Sequence, residues 1–113
     1  MTPERFEEVL QRRINLIKKV LGKKAEEYAK DKDRLYNFKV AASMDLSTPE
    51  KICWQFMLKH LVCVRDLVYK KTRLTREIID EKLGDAINYL ILLEGLLVEL
   101  LEKSNQEANK VNN

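Results

Sequence analysis

The sequence predicts an all-α protein with three long helices and one short helix. Its 113 residues include only three Gly and two Pro, and 45% are hydrophobic and 35% charged. This composition favours helices over a sheet with many turns. Apolar residues recur at helical spacing through three long stretches. Two of these stretches open with a hydroxyl residue followed by proline, Thr2-Pro3 and Thr48-Pro49, a pattern typical of helix starts.

The length fits a single domain, which we place at residues 1–103, followed by a flexible tail at 104–113 that is rich in Asn. Met1 is followed by polar residues rather than a secretory signal, and no apolar run reaches the ~18 residues of a membrane span. We therefore expect a cytoplasmic protein. A net charge of +3 is too small a bias to indicate a nucleic-acid partner.

The first long helix is expected to run from the start of the chain to about Lys30, with Gly22 a tolerated weak point. Its apolar side also includes two acids, Glu27 and Asp31, an unusual position for charged residues. These acids either bind a ligand or form a structural ion pair that includes Lys24. The apolar stripe consists of Phe6, Leu10, Ile14, Ile17, Leu21 and Tyr28.

A connector comes next, in which residues 35–42 are expected to form a short helix or a turn. Asn37 and Phe38 lie beside a second aromatic residue, Tyr36, in this otherwise polar segment. The aromatic rings either anchor the connector to the core or bracket a planar ligand such as a nucleobase.

The second long helix is predicted from Pro49 to about Lys70. Apolar residues surround nearly its whole circumference, so we expect it to be central. Its narrow polar stripe contains Gln55, Lys59 and Asp66, which either pair with charges on neighbouring helices or line a site. His60 lies among apolar residues, which favours a hydrogen-bonded core histidine over a catalytic base.

The third long helix should begin after Thr75 and fade near Lys103. On one side, Glu81, Asp85 and Asn88 stack at i, i+4 and i+7, close enough for their side chains to act on one ligand. The apolar girth of this helix and the preceding one predicts a homodimer or homotetramer. The residues expected on its core face are Ile79, Leu83, Ala86, Leu90, Leu93 and Leu97.

If the polar stripes of the three long helices converge, they form a pocket rich in carboxylates. Glu27, Asp31, Glu81 and Asp85 would then provide hard oxygen donors, which suit Mg²⁺ or Mn²⁺ together with substrate phosphates. Lys59 would neutralise phosphate charge. The sequence offers no cluster of Cys and His for zinc and no Gly-rich phosphate loop.

Several short elements occur together in this chain: Glu26-Glu27-Tyr28, Asn37-Phe38, Lys59-His60 and Glu81-Lys82-Leu83-Gly84-Asp85. Over residues 20–100 they resemble the MazG-like branch of the all-α nucleoside triphosphate pyrophosphohydrolases, especially the small versions found in phages and mobile elements. In that family a Glu-Glu-x-x-Glu segment on one helix and a Glu-x-x-Asp segment on another hold Mg²⁺.

The resemblance implies Mg²⁺-dependent hydrolysis of a (deoxy)nucleoside triphosphate to its monophosphate and pyrophosphate. Glu27 and Asp31 match the first segment, and Glu81 and Asp85 match the second. These four residues would hold Mg²⁺, or Mn²⁺, with Glu27 and Asp85 as the catalytic residues. Lys59 would bind phosphate.

For the same nucleotide, Asn37, Phe38 and Asn88 would contact sugar or base. The alternative from another class is a non-enzymatic helical oligomer, an accessory protein of a phage or mobile element, in which the acids form ordinary ion pairs between helices. A third interpretation, nucleic-acid binding through the basic link at residues 70–76, predicts salt-sensitive retention on DNA or RNA.

Overall fold

The computed structural model describes residues 1–22, 33–70 and 73–111. These residues form four helices, and their secondary structure includes no strand. The all-α prediction is therefore confirmed, with three long helices and one short helix in the described ranges. The helices are α1 at Pro3–Leu21, α2 at Tyr36–Met44, α3 at Pro49–Tyr69 and α4 at Arg76–Val111.

The three long helices begin where the capping signals place them. Thr2 Oγ1 accepts a hydrogen bond from the Arg5 amide at 3.0 Å, and Thr75 Oγ1 accepts one from the Ile78 amide at 3.1 Å. These two bonds satisfy amides that the first turn of a helix leaves unpaired. Thr48 occupies the cap position of α3 with extended backbone, but its hydroxyl makes no capping bond.

The end of α1 differs from the prediction, because the helix stops at Leu21 rather than near Lys30. Gly22 leaves the helix with extended backbone, and its amide donates to the Lys18 carbonyl at 2.8 Å. A Cβ at this position would collide with that same carbonyl, so glycine permits the close approach. Gly22 is thus a stop and not a weak point inside the helix.

The end of α4 also differs, since the helix continues to Val111 instead of fading near Lys103. Residues 104–110 contain Gln, Glu, Ala and Lys, which favour helix, and no Gly or Pro interrupts them. At about 1.5 Å per residue this helix spans most of the 56 Å length of the molecule. None of the described helices combines the length and apolarity of a membrane span.

The helices α3 and α4 form an antiparallel pair that carries the core. Cys53 Sγ lies 3.7 Å from the Tyr89 carbonyl oxygen, to which it donates, and its burial raises the pKa of the thiol. The short helix α2 covers one face of this pair. The buried residues that it encloses are Leu35, Phe38, Ala42, Ile52, Cys53 and Leu96.

The first helix is attached to the start of α4 by arginines. Arg12 donates two hydrogen bonds to the Asp80 carboxylate, at 2.7 and 3.3 Å, and this pairing lowers the pKa of that carboxyl. Arg13 donates to the backbone carbonyls of Ile79 and Asp80 at 3.4 and 3.3 Å. No residue of α1 is fully buried, and Ile14, Leu16 and Ile17 are half-buried, so both polar and apolar contacts attach this helix.

The core is narrower than the apolar pattern predicts. Leu90 and Leu97, expected on the core face of α4, are each 50% exposed. The second long helix packs against both α2 and α4, but fewer of its residues are buried than its apolar circumference predicts, since only Ile52, Cys53 and Met57 of α3 are buried. The described helices cover α3 on the sides that face α2 and α4 and leave its remaining side open.

Candidate functional site

The predicted polar stripe of α4 lies between two neighbouring helices. Arg13 of α1 reaches the α4 backbone at Asp80 on one side of the stripe, and His60 of α3 meets Asp85 on the other. Glu81, Asp85 and Asn88 occupy two successive turns of α4 in this position. The candidate site is therefore the strip of α4 surface between these two contacts, which we call the groove.

His60 of α3 and Asp85 of α4 form a contact between the two helices. His60 Nδ1 lies 3.5 Å from Asp85 Oδ2, and the imidazole stacks on the Tyr89 ring with centroids 4.9 Å apart and planes at 25°. The His60 side chain is 17% exposed, whereas Asp85 is 42% exposed. The imidazole is thus held in place by packing, while the carboxylate opens toward solvent.

Asn88 carries a buried side-chain oxygen that lacks a hydrogen-bond partner among the described residues. Its Oδ1 is shielded from solvent and has no hydrogen-bond partner among the described residues. An unpaired buried carbonyl typically costs about 1–3 kcal/mol, and most buried polar groups find a partner. Asn88 is therefore a candidate to accept a hydrogen bond from a ligand.

Aromatic side chains cluster around Tyr89, the residue on which His60 stacks. The Phe38 ring lies 6.2 Å from Phe56 and 6.3 Å from Tyr89, with an edge-to-face geometry toward Tyr89. Only 7% of Phe38 is exposed, so it anchors α2 to the core, as one of the two sequence interpretations predicts. Asn37 beside it is exposed, and its contact with a sugar or base stays a prediction.

The acids on α4 provide a limited set of metal ligands. Glu81 is exposed, and its Oε1 lies 3.4 Å from Lys82 Nζ. In the part of the chain that the structure describes, no group of three His, Cys, Asp or Glu could hold a metal ion. Glu27 and Asp31, the two other predicted ligands, lie outside the described residues.

Mg²⁺ is commonly bound through one or two carboxylates, with water and substrate phosphates completing its shell. Glu81 and Asp85, one helical turn apart with Asp85 open to solvent, fit that mode of binding. They do not fit a closed cage made of protein ligands alone. The donor set is hard oxygen, which is also compatible with Mn²⁺.

The polar stripe of α3 makes no ion pair with a neighbouring helix among the described residues, unlike the stripe on α4. Lys59 is exposed and makes no ion pair with a described residue, so its side chain is free to meet an anion. Asp66 pairs with Lys70 at the end of its own helix, at 3.6 Å. Within the described ranges, Asp66 is thus paired along α3 and not with a charge on a neighbouring helix.

Sequence reasoning missed the charge cluster that links α2 to α4, farther along α4 than the groove. Lys39 Nζ lies 2.7 Å from Asp33 Oδ2 and 3.0 Å from Glu99 Oε2, linking α2 to α4. The hydrogen bond from Lys39 lowers the pKa of Asp33, and the pKa of Lys39 is raised in return. No local pattern marks these pairs, because Lys39 and Glu99 are 60 residues apart.

The sequence matches no protein-family model, no curated protein and no solved structure. The residues and geometry of the groove are therefore the basis for assigning a function.

Proposed function

We propose that the protein is a Mg²⁺-dependent hydrolase that converts a (deoxy)nucleoside triphosphate to its monophosphate and pyrophosphate, as the MazG-like resemblance implies. The observation that supports this most directly is the grouping of Asp85, His60 and Asn88. A half-exposed carboxylate, a packed imidazole and an unpaired buried oxygen lie within about one turn of α4. Such a grouping is typical of ligand sites more than of surface ion pairs.

Glu81 and Asp85 would hold Mg²⁺, with Glu27 and Asp31 as further ligands supplied from residues 23–32. When bound, the ion would neutralise phosphate charge and lower the pKa of an attacking water. Mn²⁺ would serve in its place because it accepts the same oxygen donors.

The remaining residues bind and orient the nucleotide. His60, stacked on Tyr89, fixes the position of the Asp85 carboxylate from the α3 side. Asn88 Oδ1 accepts a hydrogen bond from a sugar hydroxyl or a base amino group, which removes the cost of leaving it unpaired. Lys59 is exposed next to His60 and attracts the phosphates. Asn37 approaches the sugar or base from α2.

The test is a pyrophosphate-release assay on the full chain with each ribo- and deoxynucleoside triphosphate, in Mg²⁺, in Mn²⁺ and with chelator. Asp85→Asn keeps the shape of the side chain and removes its charge. We expect this variant to lose more than about 100-fold in turnover, the usual cost of removing one group that stabilises the transition state electrostatically. Chelator should abolish turnover in the wild type.

Asp66→Asn is the matched control, since Asp66 is also a helical aspartate but pairs with Lys70 away from the groove. It should retain wild-type turnover. The proposal fails if the folded wild type releases no pyrophosphate from any nucleotide, or if Asp85→Asn is as active as Asp66→Asn.

A second function is supported by a different observation. Large apolar side chains of α3 and α4 are exposed, among them Val62, Val68 and Leu101. They favour a homodimer or homotetramer, and a non-enzymatic accessory protein would need no more than that assembly. In that case the contact between His60 and Asp85 is structural, and Asp85→Asn would lower the melting temperature while no nucleotide is consumed.

A further inference from the structure

The side of α3 and α4 that the single chain leaves open carries two regular apolar rows, which together we call the outer face. Both rows advance by alternating steps of four and three residues, the spacing of helices that pack side by side in coiled coils and bundles. On α3 the row is Trp54, Leu58, Leu61, Arg65 and Val68. On α4 it is Leu83, Ile87, Leu90, Glu94, Leu97 and Leu101.

The two rows lie on the side of the helix pair opposite α2. On α3, the core residue Ile52 is two positions before Trp54, which places it about 200° around the helix. On α4, Glu99 contacts Lys39 of the connector helix and is two positions after Leu97, again about 200° away. The inner side is therefore covered by α2. On the outer side, Leu61, Leu83 and Ile87 are half-buried and the other residues of the two rows are exposed.

One charged residue interrupts each row, and the two have opposite signs. The contacts of Cys53 with Tyr89 and of His60 with Asp85 set the antiparallel register of the pair. In that register Arg65 lies near the amino-terminal end of α4, whereas Glu94 lies level with the start of α3. At about 1.5 Å per residue the two charges are about 20 Å apart in one chain, too far to pair.

A second copy placed by a two-fold axis that runs along the outer face, at right angles to the helices, removes this separation. The operation reverses the ends of the face, so Arg65 of one copy reaches the same end as Glu94 of the partner subunit. It also stacks each row on its own copy, so that the lengths and spacings match. The face is thus complementary to itself in shape and in charge.

We propose that a second copy of this chain occupies the outer face, so that α3 and α4 of two protomers form a four-helix bundle with two Arg65 to Glu94 pairs between subunits. Arg65 is already oriented along its helix, with its guanidinium carbon 5.6 Å from the centroid of the Tyr69 ring. The proposal does not depend on catalysis. The outer face forms the contact between subunits, and Arg65 and Glu94 determine their relative orientation.

The experiment is sedimentation equilibrium of the full chain over a range of micromolar concentrations. The wild type should sediment at a multiple of the chain mass. Arg65→Glu and Glu94→Arg each place like charges together in the assembly, and each should weaken self-association by at least about tenfold, as like-charge contacts at interfaces do. The double variant, Arg65→Glu with Glu94→Arg, restores opposite charges and should recover wild-type association.

Arg73→Glu is the matched control, because Arg73 is exposed in the link before α4 and outside the outer face. It should associate like the wild type. Circular dichroism should show the same helix content in all variants, since both exchanged residues are exposed. A monomeric wild type overturns the proposal. A double variant as weak as the singles overturns it as well, as do single variants that associate like the wild type.

Discussion

The two sides of the α3 and α4 pair both carry large apolar side chains, but within one chain these are buried on one side and largely exposed on the other. The inner side packs against α2 and contains the buried Ile52, Cys53 and Leu96. The outer side presents Leu58, Leu90 and Leu97 to solvent. Hydrophobic periodicity therefore identifies surfaces that must be covered, but it does not say whether the cover comes from the same chain.

The polar residues of the two sides differ in the same way. On the inner side, polar groups lie along the groove. His60 packs against Tyr89, and Asn88 Oδ1 has no hydrogen-bond partner among the described residues. On the outer side, each row has a single charge, Arg65 or Glu94. The inner side is thus suited to a small ligand, and the outer side to a long apolar partner.

The largest expected effect comes from truncating two neighbours on α3, of which one is buried within the single chain and the other belongs to the outer face. Met57 has no exposed surface, so Met57→Ala leaves a cavity and should lower the free energy of unfolding by about 2–5 kcal/mol. Leu58 is 42% exposed, and Leu58→Ala should cost less than about 1.5 kcal/mol in the dilute chain. Urea denaturation at low protein concentration measures both.

The same pair of variants sharpens the comparison at high concentration. If the outer face is covered by a second copy, the loss in Leu58→Ala should increase as the protein concentration rises, while the loss in Met57→Ala should not. Equal costs for the two substitutions at low concentration would show that the outer face is already covered in the single chain.

A smaller effect of opposite sign is expected in the groove. Asn88→Leu keeps the branched shape and the number of side-chain heavy atoms and removes the unpaired oxygen, so it should raise the free energy of unfolding by about 1 kcal/mol. If Asn88 binds the nucleotide, the same variant should raise KM. Thermal melts and the pyrophosphate assay measure the two quantities.

Asn15→Leu on the exposed surface of α1 is the control and should shift stability by less than about 0.5 kcal/mol. A loss of stability in Asn88→Leu would show that the Asn88 side chain has a structural partner. The proposed ligand contact would then lose its physical reason.

Much of the fold can be predicted from local sequence signals. Thr2 and Thr75 cap α1 and α4 because their hydroxyls reach amides three residues ahead, a relation visible in the sequence. The all-α class is predicted by the amino-acid composition and by the helical spacing of the apolar residues. The stop at Gly22 could not be distinguished from a tolerated glycine, because the local pattern does not determine the backbone angles of Gly22.

The candidate site could be predicted only in part. The stripe of Glu81, Asp85 and Asn88 is predicted by helical spacing alone. The approach of His60 to Asp85 is not, because it depends on the register between two helices. The sequence favours a packed histidine at position 60, and packing against Tyr89 agrees with that expectation, but its position beside a carboxylate is a tertiary property. The first acidic segment lies outside the described residues, so its part of the site stays a prediction.

The smallest effect concerns the charged attachment of α1 to the start of α4. Arg12 lowers the pKa of Asp80, so the folded state favours the ionised carboxyl. Stability from this pair is fully present above the ordinary aspartate pKa, near 3.8, and is lost as the pH falls through the lower pKa of the folded state. Arg12→Gln removes this contribution. Hydrogen exchange of α1 amides should therefore be faster in the variant at pH 6, after correction for intrinsic rates, and the difference should shrink in acid. A difference that grows on acidification would contradict the assignment of the pKa shift to Arg12.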